Sequence, residues 1–176
     1  MLQRIDHVGI ACRSLEAAIE KYASVFGLEV VSQEVNESQG VKEAMLAVSS
    51  GSAAPFGGYV QLLEPLADDT PVGKFLAKRG EGIHHVGFAV RSVTEALATI
   101  ESAGLVRLID SRPRHGSMGA SIAFLHPADL GGVLTELVQP HGVSRPLSQL
   151  AGDAKREQPR VPTGTHEAGV PSRLAR

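Results

Sequence analysis

The chain has 176 residues, 43% of them hydrophobic, and a net charge of −2, which suits one compact domain or two small modules sharing a core. That balance provides no general attraction to nucleic acid or to an anionic membrane, and the absence of Trp, with only 4% aromatic residues, argues against a stacking platform for single strands. The single cysteine, Cys12, excludes an internal disulfide framework, and neither a long apolar span nor a signal-peptide pattern is present, so the sequence reads as cytoplasmic with no membrane partner.

In chain order, Ile5 to Ala11 alternates as a short strand, with His7 and Gly9 on one face and Val8 and Ile10 on the other. Ser14 opens a helical stretch whose apolar stripe is Leu15, Ala18, Ile19 and Tyr22, and Gly27 ends it. Strand-like segments follow at Leu28 to Val35, Ala44 to Val48 and Tyr59 to Leu63, with a Ser-, Gly- and Pro-rich turn at Ser49 to Gly58. Pro71 to Arg79 reads as a short helix carrying Lys74, Lys78 and Arg79. The order then repeats: a strand at Ile83 to Val90, a helix from Ser92 to about Ser102 with a stop at Gly104, and strands near Val106 to Asp110, Ser121 to Leu125 and Gly132 to Val138. The expected organisation is α+β, with two βαβββ modules at residues 1–70 and 83–142, a connecting segment at 71–82 and a flexible tail at 143–176.

The two halves share more than their pattern. Asp6-His7-Val8-Gly9 returns as His84-His85-Val86-Gly87, and Val60-Gln61-Leu62 has its counterpart in Thr135-Glu136-Leu137 at a similar distance along the chain. Alternate residues of a strand share a face, so His7 and His85 can point into one cleft, with Gln61 and Glu136 completing the set. Two imidazoles, a carboxylate and an amide oxygen suit a divalent ion such as cobalt, nickel, manganese or zinc.

The remaining polar residues read differently. His84, on the face of Asp6, is expected to be structural or at a rim, and Glu64 and Gln139, on the opposite face from the ligands, to be structural or at an interface. Glu43, just before an apolar run, reads by itself as a solvated strand-end charge. The segment Arg112 to Ala120 combines cations with a Gly-rich turn, which could offer backbone N–H groups to an anion or serve as an ordinary hairpin connection. His126 is expected to stabilise a turn and Cys12 to be a small core residue, while His141 and His166 form no constellation.

Taken together, Asp6 to Ala11, Gln39 to Leu46, Gly80 to Val86, Phe124 to Pro127 and Gly132 to Leu137 resemble the methylmalonyl-CoA epimerase family of the vicinal oxygen chelate superfamily, over about residues 3 to 142. The resemblance implies a glyoxalase-like cleft and a metal site of His7, Gln61, His85 and Glu136, with cobalt as the leading ion. It raises Glu43 from a surface charge to a catalytic acid/base, with Glu136 as its counterpart. It implies interconversion of (2R)- and (2S)-methylmalonyl-CoA through an enolate whose charge a divalent ion offsets. As a ligand, Glu136 is a poorer base. Substrate contacts are expected from Ser117, Met118, Gly119 and Ala120, and coenzyme A phosphates from Lys74 and Arg114, with Lys78, Arg79 and Arg112 as further candidates. A homodimer is expected. A glyoxalase-type isomerase, a dioxygenase of the same superfamily and a binding protein without chemistry are the alternatives.

Overall fold

The computed structural model describes residues 1–48 and 57–141. Most of the expected Ser49 to Gly58 turn, and the whole tail at 143–176, lie outside the described residues. The first half runs β1 (Leu2–Ala11), α1 (Leu15–Phe26), β2 (Glu29–Asn36), β3 (Val41–Ala47) and β4 (Tyr59–Pro65). Helix α2 (Pro71–Arg79) leads to β5 (Gly82–Val90), α3 (Val93–Ala103), β6 (Arg114–His115), β7 (Ser121–Leu125) and β8 (Thr135–Gln139). The strands form one mixed sheet in the order β2-β3-β4-β1-β5-β8-β7-β6. The order reads as two equivalent sets joined where β1 meets β5 antiparallel, and within each set the first strand pairs parallel with the last.

Equivalent local chemistry starts and stops the helices of both halves. Ser14 Oγ accepts from Ala17 N and Ser92 Oγ from Glu95 N, while Gly27 and Gly104 close α1 and α3 in the left-handed region at φ 67° and 65°. Polar residues near the ends of the distal strands add a second cap. Glu64 Oε2 accepts from Leu15 N at 2.7 Å, and Gln139 Oε1 accepts from Val93 N at 3.1 Å, so both satisfy first-turn amides that the helices leave open. Glu64 also pairs with Lys42 at 3.0 Å. These residues are structural, as their face implies. Leu15 with Ala44, Leu46 and Leu62 forms the core beneath α1, and Val93, Leu97 and Ile100 with Ala123 and Leu137 form its counterpart beneath α3. Cys12 is buried in the first of these cores, where burial pushes its thiol up to about 11.

Two expected strands of the second half are corrected. Val106 to Asp110 makes only an isolated bridge, between Leu108 and Leu125. Asp110 Oδ2 takes the Phe124 amide at 2.9 Å, a donor that a regular ladder would need, and Arg107 is tied to Asp129, so side chains interrupt the ladder there and leave only the backbone bonds of Ile109 and Asp110 to Phe124 O and of His126 to Arg107 O. The edge strand is instead the two-residue β6 beyond Pro113. Strand β8 begins at Thr135 rather than Gly132, because Gly131 and Gly132 turn at φ 66° and 85°.

Candidate functional site

The sheet register brings the repeated residues together in two lateral rows. In one, Gln61 of β4 pairs with Gly9 of β1, which pairs with His85 of β5; in the other, His7 of β1 pairs with Gly87 of β5, which pairs with Glu136 of β8. Each row has a glycine at its centre for a steric reason. A Cβ on Gly9 would fall within the His85 ring's contact distance, and one on Gly87 within that of His7. Each imidazole therefore leans across the strand of the other half, over the place where a side chain is missing. The His-Val-Gly spacing is one requirement met twice: a ring, and two residues on, the gap that receives the other ring.

The result is a compact buried group. His7 Nε2 lies 2.9 Å from His85 Nε2 and 2.9 Å from Glu136 Oε2, and His85 Nε2 lies 3.6 Å from the same oxygen. One ligand atom from each of the three residues falls within 4.8 Å of the others. Gln61 Nε2 donates to Glu43 Oε2 at 2.6 Å and lies 2.9 Å from Ser117 Oγ; because only the amide nitrogen can donate to a carboxylate, Oε1 is turned elsewhere. That oxygen and Glu43 Oε1 are buried without a hydrogen-bond partner among the described residues. Orphaned buried acceptors are rare outside functional sites. The three converging donors of His7, His85 and Glu136 fit a divalent cation.

Glu43 is not a solvated strand-end charge. Strand β3 starts at Val41 rather than Ala44, so Glu43 is inside it and only 1% exposed. Burial pushes its carboxyl above the ordinary range and Glu34, its cross-strand partner, adds to this, while the polar groups of Ser117, Gln61 and Asn36 beside it act the other way.

Alternation alone would put Asp6 on the face away from His7. A register irregularity between Ile5 and His7 instead brings Asp6 Oδ2 to 3.2 Å from His7 Nδ1, with Arg4 pairing to its other oxygen at 2.7 Å. In the second half, His84 Nδ1 lies 3.0 Å from His85 Nδ1. The residue before each site histidine therefore meets that ring's outer nitrogen, as groups that orient metal-ligating imidazoles do. The sequence signal was present in the doublets Asp6-His7 and His84-His85, but strict alternation hid it.

These contacts set the charge. Burial opposes a charge on His7, but bonds to Asp6 and Glu136 prevail and raise it to about 9, whereas burial and then His7 and His84 hold His85 well below its ordinary value. An ion entering the group at pH 7 must displace the proton on His7. Metal binding is thus expected to release about one proton at pH 7 and to tighten about tenfold per pH unit up to about 9. Titration calorimetry in buffers of different ionisation enthalpy measures this, and binding without proton release at pH 7 contradicts it.

A cavity of about 120 Å³ is lined by Asp6, His7, Met45, Ser117, Met118, Ala120 and Glu136 among others, while Gly119 forms the turn behind it at φ 73°. A second cavity, of about 550 Å³, is lined by Lys74, Phe75, Lys78, Arg79, His84 and His85 with part of the 126–134 segment. Arg114 lines neither: it pairs with Asp110 at 3.2 Å and lies over the Phe124 ring. His126 Nδ1 accepts from Ala128 N, holding the turn at Pro127–Asp129, as expected.

The family described as Glyoxalase/Bleomycin resistance protein/Dioxygenase superfamily matches residues 6–124. A solved methylmalonyl-CoA epimerase in complex with methylmalonyl-CoA and NH4+ is 51% identical, with a TM-score of 0.77 over 83% of this chain and 100% of that one. A variant of the Streptomyces coelicolor methylmalonyl-CoA epimerase, in complex with 2-nitronate-propionyl-CoA, is 50% identical, with a TM-score of 0.75 over 81% of this chain and 100% of that one. The ethylmalonyl-CoA/methylmalonyl-CoA epimerase of Cereibacter sphaeroides is 33% identical over 79% of this chain and 99% of its own length. Fold and site thus define a member of the glyoxalase superfamily with a buried His-His-Glu group. Within that superfamily, the chain belongs to the methylmalonyl-CoA epimerase family.

Proposed function

We propose that the protein interconverts (2R)- and (2S)-methylmalonyl-CoA, with Glu43 and Glu136 as the acid/base pair and His7, Gln61, His85 and Glu136 holding a divalent ion, cobalt first among the candidates. The observation that carries this reading is the buried Glu43 carboxylate, fixed through Oε2 by Gln61 and left with an unpartnered Oε1. The substrate hydrogen between thioester and carboxylate is weakly acidic, and a base raised above the ordinary carboxylate range suits its removal. Inversion needs proton loss on one face of the carbon and gain on the other. Glu43 comes from the first half and Glu136 from the second, which supports one carboxylate acting on each face. Glu136 turns Oε2 toward both imidazoles, leaving its other oxygen for the proton. The bound ion supplies positive charge for the enolate that forms when the proton leaves.

Ser117, Met118, Gly119 and Ala120 are proposed to receive the acyl end of the substrate, supported by the smaller cavity that three of them line. Lys74, with Lys78 and Arg79, is proposed to meet the coenzyme A phosphates, supported by its place in the larger cavity beside His85. Arg114 is the weaker proposal, since its guanidinium is occupied by Asp110. We further propose a cytoplasmic homodimer, which sedimentation of the purified protein would test. Among the described residues no helix is long and apolar enough to cross a membrane.

The test of function is deuterium incorporation at C2 of methylmalonyl-CoA in D₂O, with and without a chelator. Exchange that the chelator stops and cobalt restores is expected. No exchange in metal-replete protein would sink the proposal, and turnover of the glutathione hemithioacetal instead would favour a glyoxalase-type isomerase.

A further inference from the structure

One contact between the two halves lies outside this acid/base and ligand set. The turn at Ser117–Gly119 belongs to the second half but reaches strand β2 of the first, where Glu34 Oε1 accepts from Met118 N at 3.0 Å. Met118 is the one non-glycine with a positive φ among the described residues, at φ 55° and ψ 29°. A side chain with a Cβ is disfavoured in that conformation, so an external partner must hold it. Within the turn, Ala120 N donates to Ser117 O and Gly116 N to Ala120 O, which tightens the loop but ties it to nothing across the cleft. The cross-cleft ties are Glu34 to Met118 and Ser117 to Gln61, the latter at 2.9 Å. Ser117, Met118 and Ala120 also line the cavity that contains His7 and Glu136.

We infer that Glu34 is a latch. As a hydrogen-bond acceptor, it holds the Met118 amide so that the 116–120 turn closes the cleft and Ser117 meets Gln61 beside Glu43. Glu34 is a positioning residue that acts through the turn; it also faces Glu43 across the β2–β3 pair, and Glu34→Gln separates the loss of its charge there from the loss of the bond. The half-exposed carboxylate sits on an edge strand, so its replacement spares the core. The latch rests on the proposed function for its consequence in catalysis but not for its existence.

The experiment compares Glu34→Ala, which removes the acceptor, with Glu34→Gln, which keeps an acceptor oxygen without the charge. In the substrate-free protein, hydrogen–deuterium exchange of the 116–120 amides is expected to quicken on the order of tenfold in Glu34→Ala and to stay near wild type in Glu34→Gln. With methylmalonyl-CoA, Glu34→Ala should raise KM about tenfold at unchanged metal content, and Glu34→Gln should restore it. Unchanged exchange in Glu34→Ala overturns the latch, as does a Glu34→Gln variant that behaves like Glu34→Ala, since the charge would then matter more than the bond. Should the wild-type protein show no epimerisation, the functional proposal fails while the exchange measurement still decides the latch.

Discussion

Glu43→Gln is expected to slow exchange of the substrate C2 hydrogen by about 10² to 10⁴-fold while the protein binds its metal ion as before. The substitution is nearly isosteric, and the Gln61 amide can still meet the carbonyl oxygen of the new side chain, so Gln61 and Ser117 stay in place. What disappears is the proton acceptor, because a neutral amide cannot take the C2 proton. His7, His85 and Glu136 lie outside this change, which is why metal content serves as the control. The pH profile gives a second measure. Burial raises the Glu43 carboxyl, and the working base is its deprotonated form, so the wild-type rate in the direction Glu43 initiates should fall as pH drops through a value above the ordinary carboxylate range. A Glu43→Gln variant with full exchange would remove Glu43 from the mechanism.

Gly87→Ala is expected to weaken metal binding about 10- to 100-fold although no ligand atom has been removed. The added Cβ would collide with the His7 ring, and Gly87 sits in β5 at the centre of the sheet, with β1 on one side and β8 on the other. The backbone has no room to yield, so the ring must leave its place. Overpacking of this kind costs about 1–3 kcal/mol of stability. Combining Gly87→Ala with His7→Ala separates the two effects: the double variant should regain most of the stability lost in Gly87→Ala while metal binding stays weak. Gly9→Ala should reproduce the behaviour through His85. Metal content by elemental analysis and denaturant unfolding measure both quantities, and a Gly87→Ala protein with wild-type affinity would mean that the His7 ring is not where the structure has it.

Several features could be read from the chain because they are written locally and twice. The helix caps at Ser14 and Ser92 and the stops at Gly27 and Gly104 need only neighbouring residues, and the repeated order of elements showed both halves. His7, His85, Gln61 and Glu136 stood out because a duplicated motif aligns equivalent positions without any knowledge of the fold. The family resemblance added Glu43, to which composition and spacing had assigned no special role. Other features were not legible. Whether Glu43 is exposed depends on where β3 begins, and that follows from its pairing with β2 and β4. The failed strand at Val106 to Asp110 turns on Asp110 capturing the Phe124 amide, a competition between side chain and ladder that no alternation pattern records.

By itself, then, the sequence determined two like modules and the residue types they bring to a shared cleft, since strand period and repeated spacing are properties of short segments. Only the tertiary structure decided the rest: that Asp6 reaches His7, that Gly9 and Gly87 are gaps for the opposite ring, and that Glu34 holds Met118 across the cleft. The reason is the same in each case. Register, bulges and contacts between the halves depend on how β1 meets β5 and how the outer strands bring the 117–119 turn to β2, and those distances join residues far apart in the chain.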